Sequence, residues 1–185
     1  MPEVIEIVYP LILKSLIKME LLKRIKDRAP EYDNQYYQMI LDFTIEQGGK
    51  AGTSTNEDRW KQGKYFSTRY EMYMYAALLG LKKGYKIPIA YGTEKSKFIE
   101  MRSWQPQDIA DYVIMGVFAK SGIDFNELEN LEEEKVEKKI TELRSLLEDY
   151  ANGGFDIIRS KNESEPNYFL TNENCFIDLL DERKD

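Results

Sequence analysis

Along residues 4–27 the apolar positions Ile5, Val8, Ile12, Leu16, Met19, Leu22 and Ile25 recur at steps of three and four. That spacing gathers them on one face of an α-helix. Pro10 breaks the first turns, so the secure helix begins near Tyr9, and Ala29-Pro30 ends it. The pattern returns over residues 33–46, with Tyr36, Tyr37, Ile40, Leu41, Thr44 and Ile45 on one face. Small and polar residues from Gly48 to Asn56 then read as an exposed connection. The organisation this predicts is an N-terminal helical hairpin over 1–47, a linker over 48–58, a principal helical domain over 59–160 and a partly loose tail over 161–185.

Within the principal domain, Ser67 or Thr68 caps a helix that has Glu71 in its first turn. Tyr70, Tyr73, Met74, Ala77, Leu78 and Leu81 form its apolar face, and Gly84 ends it. Ala76, Ala77, Gly80 and Gly84 form a stripe of small residues, so Gly80 is expected beneath a neighbouring helix. Ile87-Pro88-Ile89 is extended and residues 97–101 suit a strand, so a short strand pair is expected near residues 86–102. Pro106 opens the next helix, whose stripe is Ile109, Tyr112, Val113, Gly116, Val117 and Phe118, and Gly122 closes it. From Asp124 to Tyr150 the period is helical again, with Leu128, Leu131, Val136, Ile140, Leu143 and Leu147 on one side. Asn152-Gly153-Gly154 is read as a sharp helix stop, followed by a short turn or helix through Phe155, Ile157 and Ile158. The fold class is therefore mostly α.

Composition changes the picture chiefly by what is missing. The 185 residues include no histidine. This removes Ser-His and Cys-His nucleophiles, the usual neutral-pH general base and histidine zinc sites. The single cysteine, Cys175, allows no intrachain disulfide and points to a reducing, cytoplasmic setting. Met1 to Pro10 carries Glu3 and Glu6 and does not resemble a secretory signal. No 18-residue apolar run predicts a membrane span. A formal net charge of −7 argues against binding DNA through the overall field, although screening over about 10 Å permits a local basic patch.

The candidate chemistry is sparse. Gly48-Gly49-Lys50-Ala51-Gly52-Thr53-Ser54 has neither the spacing nor the preceding strand of a phosphate loop. Glu127, Glu129, Glu132, Glu133 and Glu134 suit the positive end of a helix. Glu71, Asp108 and Asp111 are candidate metal ligands by residue type alone, so neither a metal nor a cofactor is expected. Arg69, Lys82, Lys83 and Lys86 are the candidate nucleic-acid contacts, with Tyr65, Phe66 and Tyr70 interleaved for base stacking. Trp60, Tyr65 and Trp104 are the candidate protein-interface residues, the tryptophans being either core edges or anchors.

Two stretches together resemble a known family. One runs from Phe66 to Pro88 and contains Ala76-Ala77-Leu78-Leu79-Gly80-Leu81-Lys82-Lys83-Gly84-Tyr85-Lys86. The other is Tyr150-Ala151-Asn152-Gly153-Gly154-Phe155-Asp156-Ile157-Ile158. They resemble the DNA phosphorothioation (Dnd) system-associated protein 4 family over roughly residues 60–160. The resemblance implies a role beside enzymes that modify or cut DNA in antiphage defence, and it supplies no catalytic residues. Both motifs read as helix endings.

The expected function is thus a non-catalytic accessory subunit of a bacterial DNA-modification or restriction defence system. Its expected partners are protein components of that complex, with no membrane partner, and a homo-oligomer is compatible with the chain. The alternative is a nucleic-acid-binding subunit that contacts DNA phosphates through the local basic patch. A carboxylate-and-magnesium nuclease is a third class.

Overall fold

The computed structural model describes residues 20–45, 60–124 and 132–181. The expected helix before Glu20, the expected linker with its Gly48–Asn56 run, Glu127 and Glu129 lie outside the described residues. Residues 20–26 are helical. There follow strand β1 (Glu31–Asp33), helices α1 (Tyr37–Phe43) and α2 (Arg69–Lys83), strand β2 (Lys95–Lys97), and helices α3 (Gln107–Ser121), α4 (Glu133–Ser164), α5 (Tyr168–Thr171) and α6 (Cys175–Asp181). The fold is mostly α, as expected.

The local signals acted as their chemistry predicts. The Thr68 hydroxyl accepts from the Glu71 N–H, and the Glu71 carboxylate accepts from the Thr68 N–H, closing a capping box on α2. Gly84 ends α2 with φ 61° and Gly122 ends α3 with φ 69°, conformations that side chains disfavour. At the start of α4, Glu133 and Glu137 bind Arg24, and Glu137 also binds Arg28, tying the N-terminal helix to it. Leu21, Ile25, Tyr32, Tyr36, Ile40 and Phe43 share one core with Met72, Leu79, Val113, Leu147 and Phe155. Phe169, Cys175 and Leu179, from the segment expected to be partly loose, are buried in that same core.

The main departure from expectation is α4. It does not stop at Asn152-Gly153-Gly154 but continues unbroken to Ser164. The glycines there serve close approach. A Cβ on Gly154 would lie 1.8 Å from the Ala76 carbonyl oxygen, and one on Gly153 would lie 2.3 Å from that of Tyr85. Across the same crossing, a Cβ on Gly80 would lie 2.1 Å from the Tyr150 carbonyl oxygen. Helices α2 and α4 therefore meet backbone to backbone, each supplying glycine where the other's carbonyls arrive. The buried position of Gly80 matches the small-residue stripe.

The strand pair also differs from expectation. β2 lies within the anticipated region, but its antiparallel partner is β1, with Glu31 opposite Lys97, Tyr32 opposite Ser96 and Asp33 opposite Lys95. A three-residue strand directly after Pro30 is too short to show an alternating period. The apolar stripe of α3 is divided as well. Val113, Val117 and Phe118 are buried, whereas Ile109 and Tyr112 face outward.

Candidate functional site

Segment 60–66 is fastened to the end of α1. Gly63, with φ 74°, donates its N–H to the Trp60 carbonyl at 2.9 Å. The Tyr65 and Phe66 N–H groups both donate to the Phe43 carbonyl, and Lys64 Nζ donates to the Leu41 carbonyl at 2.8 Å. Lys64 thus satisfies an otherwise open carbonyl at a helix C-terminus, where a cation is favoured. These bonds set the Tyr65 ring among Phe43, Phe169 and Phe176 at centroid distances of 5.2, 6.1 and 5.5 Å. Burial raises the Tyr65 phenol to about 12. The C-terminal helices are held by the same cluster, and Tyr75 donates its hydroxyl to the Phe176 carbonyl at 2.6 Å. Burial also raises the Cys175 thiol, to about 11, which keeps it a protonated core residue.

Trp60 stands at the outer edge of this cluster, edge-on to Tyr65 at 4.7 Å. Beside it opens a hollow of about 470 Å³, lined by Trp60, Lys61, Leu170, Thr171 and Glu173. A second hollow of about 290 Å³ shares Lys61 and Leu170 and reaches Tyr65 and Phe169. Leu170 is 47% exposed, and Ile177 on α6 is 61% exposed. An aromatic anchor, an exposed aliphatic group and a polar rim are the parts of a protein-contact surface.

The sequence-nominated residues are sorted by the fold. Trp60 and Tyr65 come together here. Trp104 does not, which corrects its nomination as an interface residue. It is fully buried, packs on Tyr73 at 5.3 Å and donates its indole N–H to the Ile99 carbonyl. A side chain with no exposed surface cannot anchor a partner. The cations are also divided. Arg69 opens α2, whereas Lys82 and Lys83 close it and Lys86 follows. At 1.5 Å per residue these groups stand about 20 Å apart, twice the range of screening. The three nominated carboxylates do not form a metal site. Glu71 caps its own helix, Asp108 accepts from the Ile109 N–H, and Asp111 pairs with Lys26. Among the described residues no three potential ligands are positioned to hold a metal ion.

A polar ladder on α4 was missed in the sequence. Glu148 Oε1 accepts from the Glu31 N–H at 2.8 Å, and Asn152 Oδ1 accepts from the Asp33 N–H at 3.2 Å. Asp156 accepts from the Tyr36 and Tyr85 hydroxyls and from Arg159. Four residues of helix rise about 6 Å and two residues of strand about 7 Å, so one helix face can satisfy the edge of β1 opposite β2. The signal was the i, i+4, i+8 spacing of Glu148, Asn152 and Asp156 beside the apolar Leu147–Ala151–Phe155 row.

The Glu148 carboxyl is strongly perturbed. Burial raises it from 4.5 to about 7, against the downward pull of the Glu31 N–H and Arg144. Arg144 Nε lies 3.3 Å from Oε1 but is not aligned to donate, so it acts as a charge only. A carboxyl raised by folding binds its proton more tightly in the native state. Its contribution therefore weakens the fold as pH rises from about 4.5 to about 7, and is level above that. Glu148→Gln keeps an acceptor for Glu31 and removes the titration. Urea titrations of both proteins at pH 4.5 and 7.5 are expected to show the variant gaining about 3 kcal/mol relative to the parent. Parallel pH profiles would assign the shift to another group.

No helix among the described residues is long and apolar enough to cross a membrane. The family model for DNA sulphur modification system-associated protein 4 matches residues 54–184. No curated protein and no solved structure matches the chain.

Proposed function

We propose, from the fact that this chain belongs to the DNA sulphur modification system-associated protein 4 family, that it is a non-catalytic accessory subunit that binds a protein component of that system. The family is named for its association with a DNA sulphur modification system. The observation that carries the protein-contact reading is the Trp60–Leu170 hollow, an apolar concavity edged by Lys61, Thr171 and Glu173. The absence of histidine from the full sequence accords with a binding role. A cytoplasmic, antiphage-defence setting belongs to the same reading.

The full chain, tagged and expressed at native level in its host, is expected to co-purify with a protein of the modification system. Trp60→Ala and Leu170→Glu should each reduce that recovery by tenfold or more, the loss expected for an anchor worth about 2 kcal/mol. Equal recovery with both variants would remove the hollow from the interface. A partner-free preparation that catalyses a reaction would end the non-catalytic reading.

A further inference from the structure

One further hollow lies between the first turn of α2 and strand β2. It is lined by Tyr32, Arg69, Tyr70, Lys97, Phe98 and Ile99, so it has two cations and no carboxylate. The chain as a whole carries −7. Three other hollows differ: Glu173 lines the Trp60 hollow, Asp42 its neighbour, and Glu142 and Asp149 one between α3 and α4. The lining of this hollow is thus positive on a protein that is acidic as a whole.

Its volume is about 60 Å³. Pockets for organic ligands run to roughly 300–1,000 Å³, so this one suits a single small oxyanion. The floor is rigid, because Phe98 packs on Tyr32 at 5.3 Å and on Tyr73 at 5.0 Å. Lys97 is exposed, and among the described residues no carboxylate lies within ion-pair distance of it. The acid opposite it in register, Glu31, is 3.5 Å from Lys95 instead. Half-buried Tyr70 adjoins Arg69 and lines the same hollow, placing an aromatic residue beside the charge.

We infer that this hollow seats one backbone phosphate of a single nucleic-acid strand between Arg69 and Lys97, with a flanking base stacked on Tyr70. Arg69 and Lys97 neutralise the phosphate and release its counterions, and Tyr70 supplies the sequence-tolerant stacking that an unpaired base offers. A duplex cannot present an unstacked base. Lys82, Lys83 and Lys86, about 20 Å away along α2, lie too far off to extend this contact. The site is a point contact suited to positioning a strand within a larger assembly. It is independent of the protein-contact hollow and stands or falls without it.

Fluorescence anisotropy with a fluorescein-labelled 20-nucleotide oligo-dT at 50 mM salt tests this on the full chain. The parent is expected to bind with a Kd of roughly 10–100 µM, in the range of non-specific contacts. Lys97→Gln and Tyr70→Leu should each weaken binding about five- to tenfold. Lys97→Gln should also lower the log–log salt slope by about 0.7. Lys82→Gln with Lys86→Gln serves as the control and should leave affinity unchanged. Lys97 is exposed, so its variant should keep the parent's melting temperature. Four results would each overturn the inference: no binding by the parent, unchanged binding by Lys97→Gln, equal binding of a 20-base-pair duplex, or full displacement of the oligonucleotide by 1 mM inorganic phosphate.

Discussion

Gly154→Ala is expected to cost about 4 kcal/mol or to prevent folding outright, although alanine is the better helix former. On an open helix face the change would gain about 1 kcal/mol. Here the new Cβ would stand 1.8 Å from the oxygen, 2.5 Å from the carbon and 2.8 Å from the Cα of Ala76. All three are backbone atoms of α2, so no side-chain rotation relieves the clash. Helices α2 and α4 would have to part along the crossing that holds the core. Gly116→Ala is the control. Its Cβ would meet only Leu81 Cδ1, at 3.1 Å, the end of a flexible side chain. That variant should stay within about 1 kcal/mol of the parent in either direction. Thermal unfolding reads the contrast directly, since 4 kcal/mol corresponds to roughly 10 °C in a chain of this size. A Gly154→Ala protein as stable as the parent would mean that α2 and α4 do not touch as described.

Trp104→Ala should cost about 3–5 kcal/mol, the range for deleting a large buried aromatic side chain. Trp104 is fully buried against Tyr73 and Phe98, and its indole satisfies the Ile99 carbonyl. Truncation leaves a cavity beside Tyr73 and Phe98 and removes the donor to the Ile99 carbonyl. Trp104→Phe should cost less, about 1–3 kcal/mol, because it keeps most of the volume and loses the donor. Trp60→Ala is the informative comparison. Trp60 is only half-buried, so its variant should lose less stability than Trp104→Ala while losing the proposed partner contact. Urea titrations of the two alanine variants give the order. A Trp60→Ala protein less stable than Trp104→Ala would reverse the assignment of the two tryptophans.

The division between these tryptophans shows what the sequence could carry. Both sit among polar neighbours in segments with no helical period, so nothing local separates a core tryptophan from a surface one. Trp104 is buried because Tyr73, distant in the chain, and Phe98, six residues before it, close over it. The basic residues behave likewise. Proximity in sequence grouped Arg69 with Lys82, Lys83 and Lys86, but a straight helix carries them apart, and the antiparallel strand pair brings Lys97 to Arg69 instead. The strand pair itself was half legible, because β1 is only three residues long and its edge is completed by side chains of α4.

The sequence by itself determined what depends on neighbours within one or two turns. The helical periods, the Thr68–Glu71 box and the endings at Gly84 and Gly122 rest on interactions between residues at most four apart. The stripe through Ala76 and Gly80 announced a close contact, and the absence of histidine bounded the chemistry before any fold was known. Only the tertiary structure decided what Gly153 and Gly154 do. A glycine frees the chain to turn, and it equally lets another backbone come within van der Waals reach. Local sequence is the same in both cases. The choice is made by whether a carbonyl arrives at the vacant Cβ position, and here those of Ala76 and Tyr85 do, from about 70 residues away. The helix therefore continues, and the packing gained at the crossing outweighs the roughly 1 kcal/mol that each interior glycine costs.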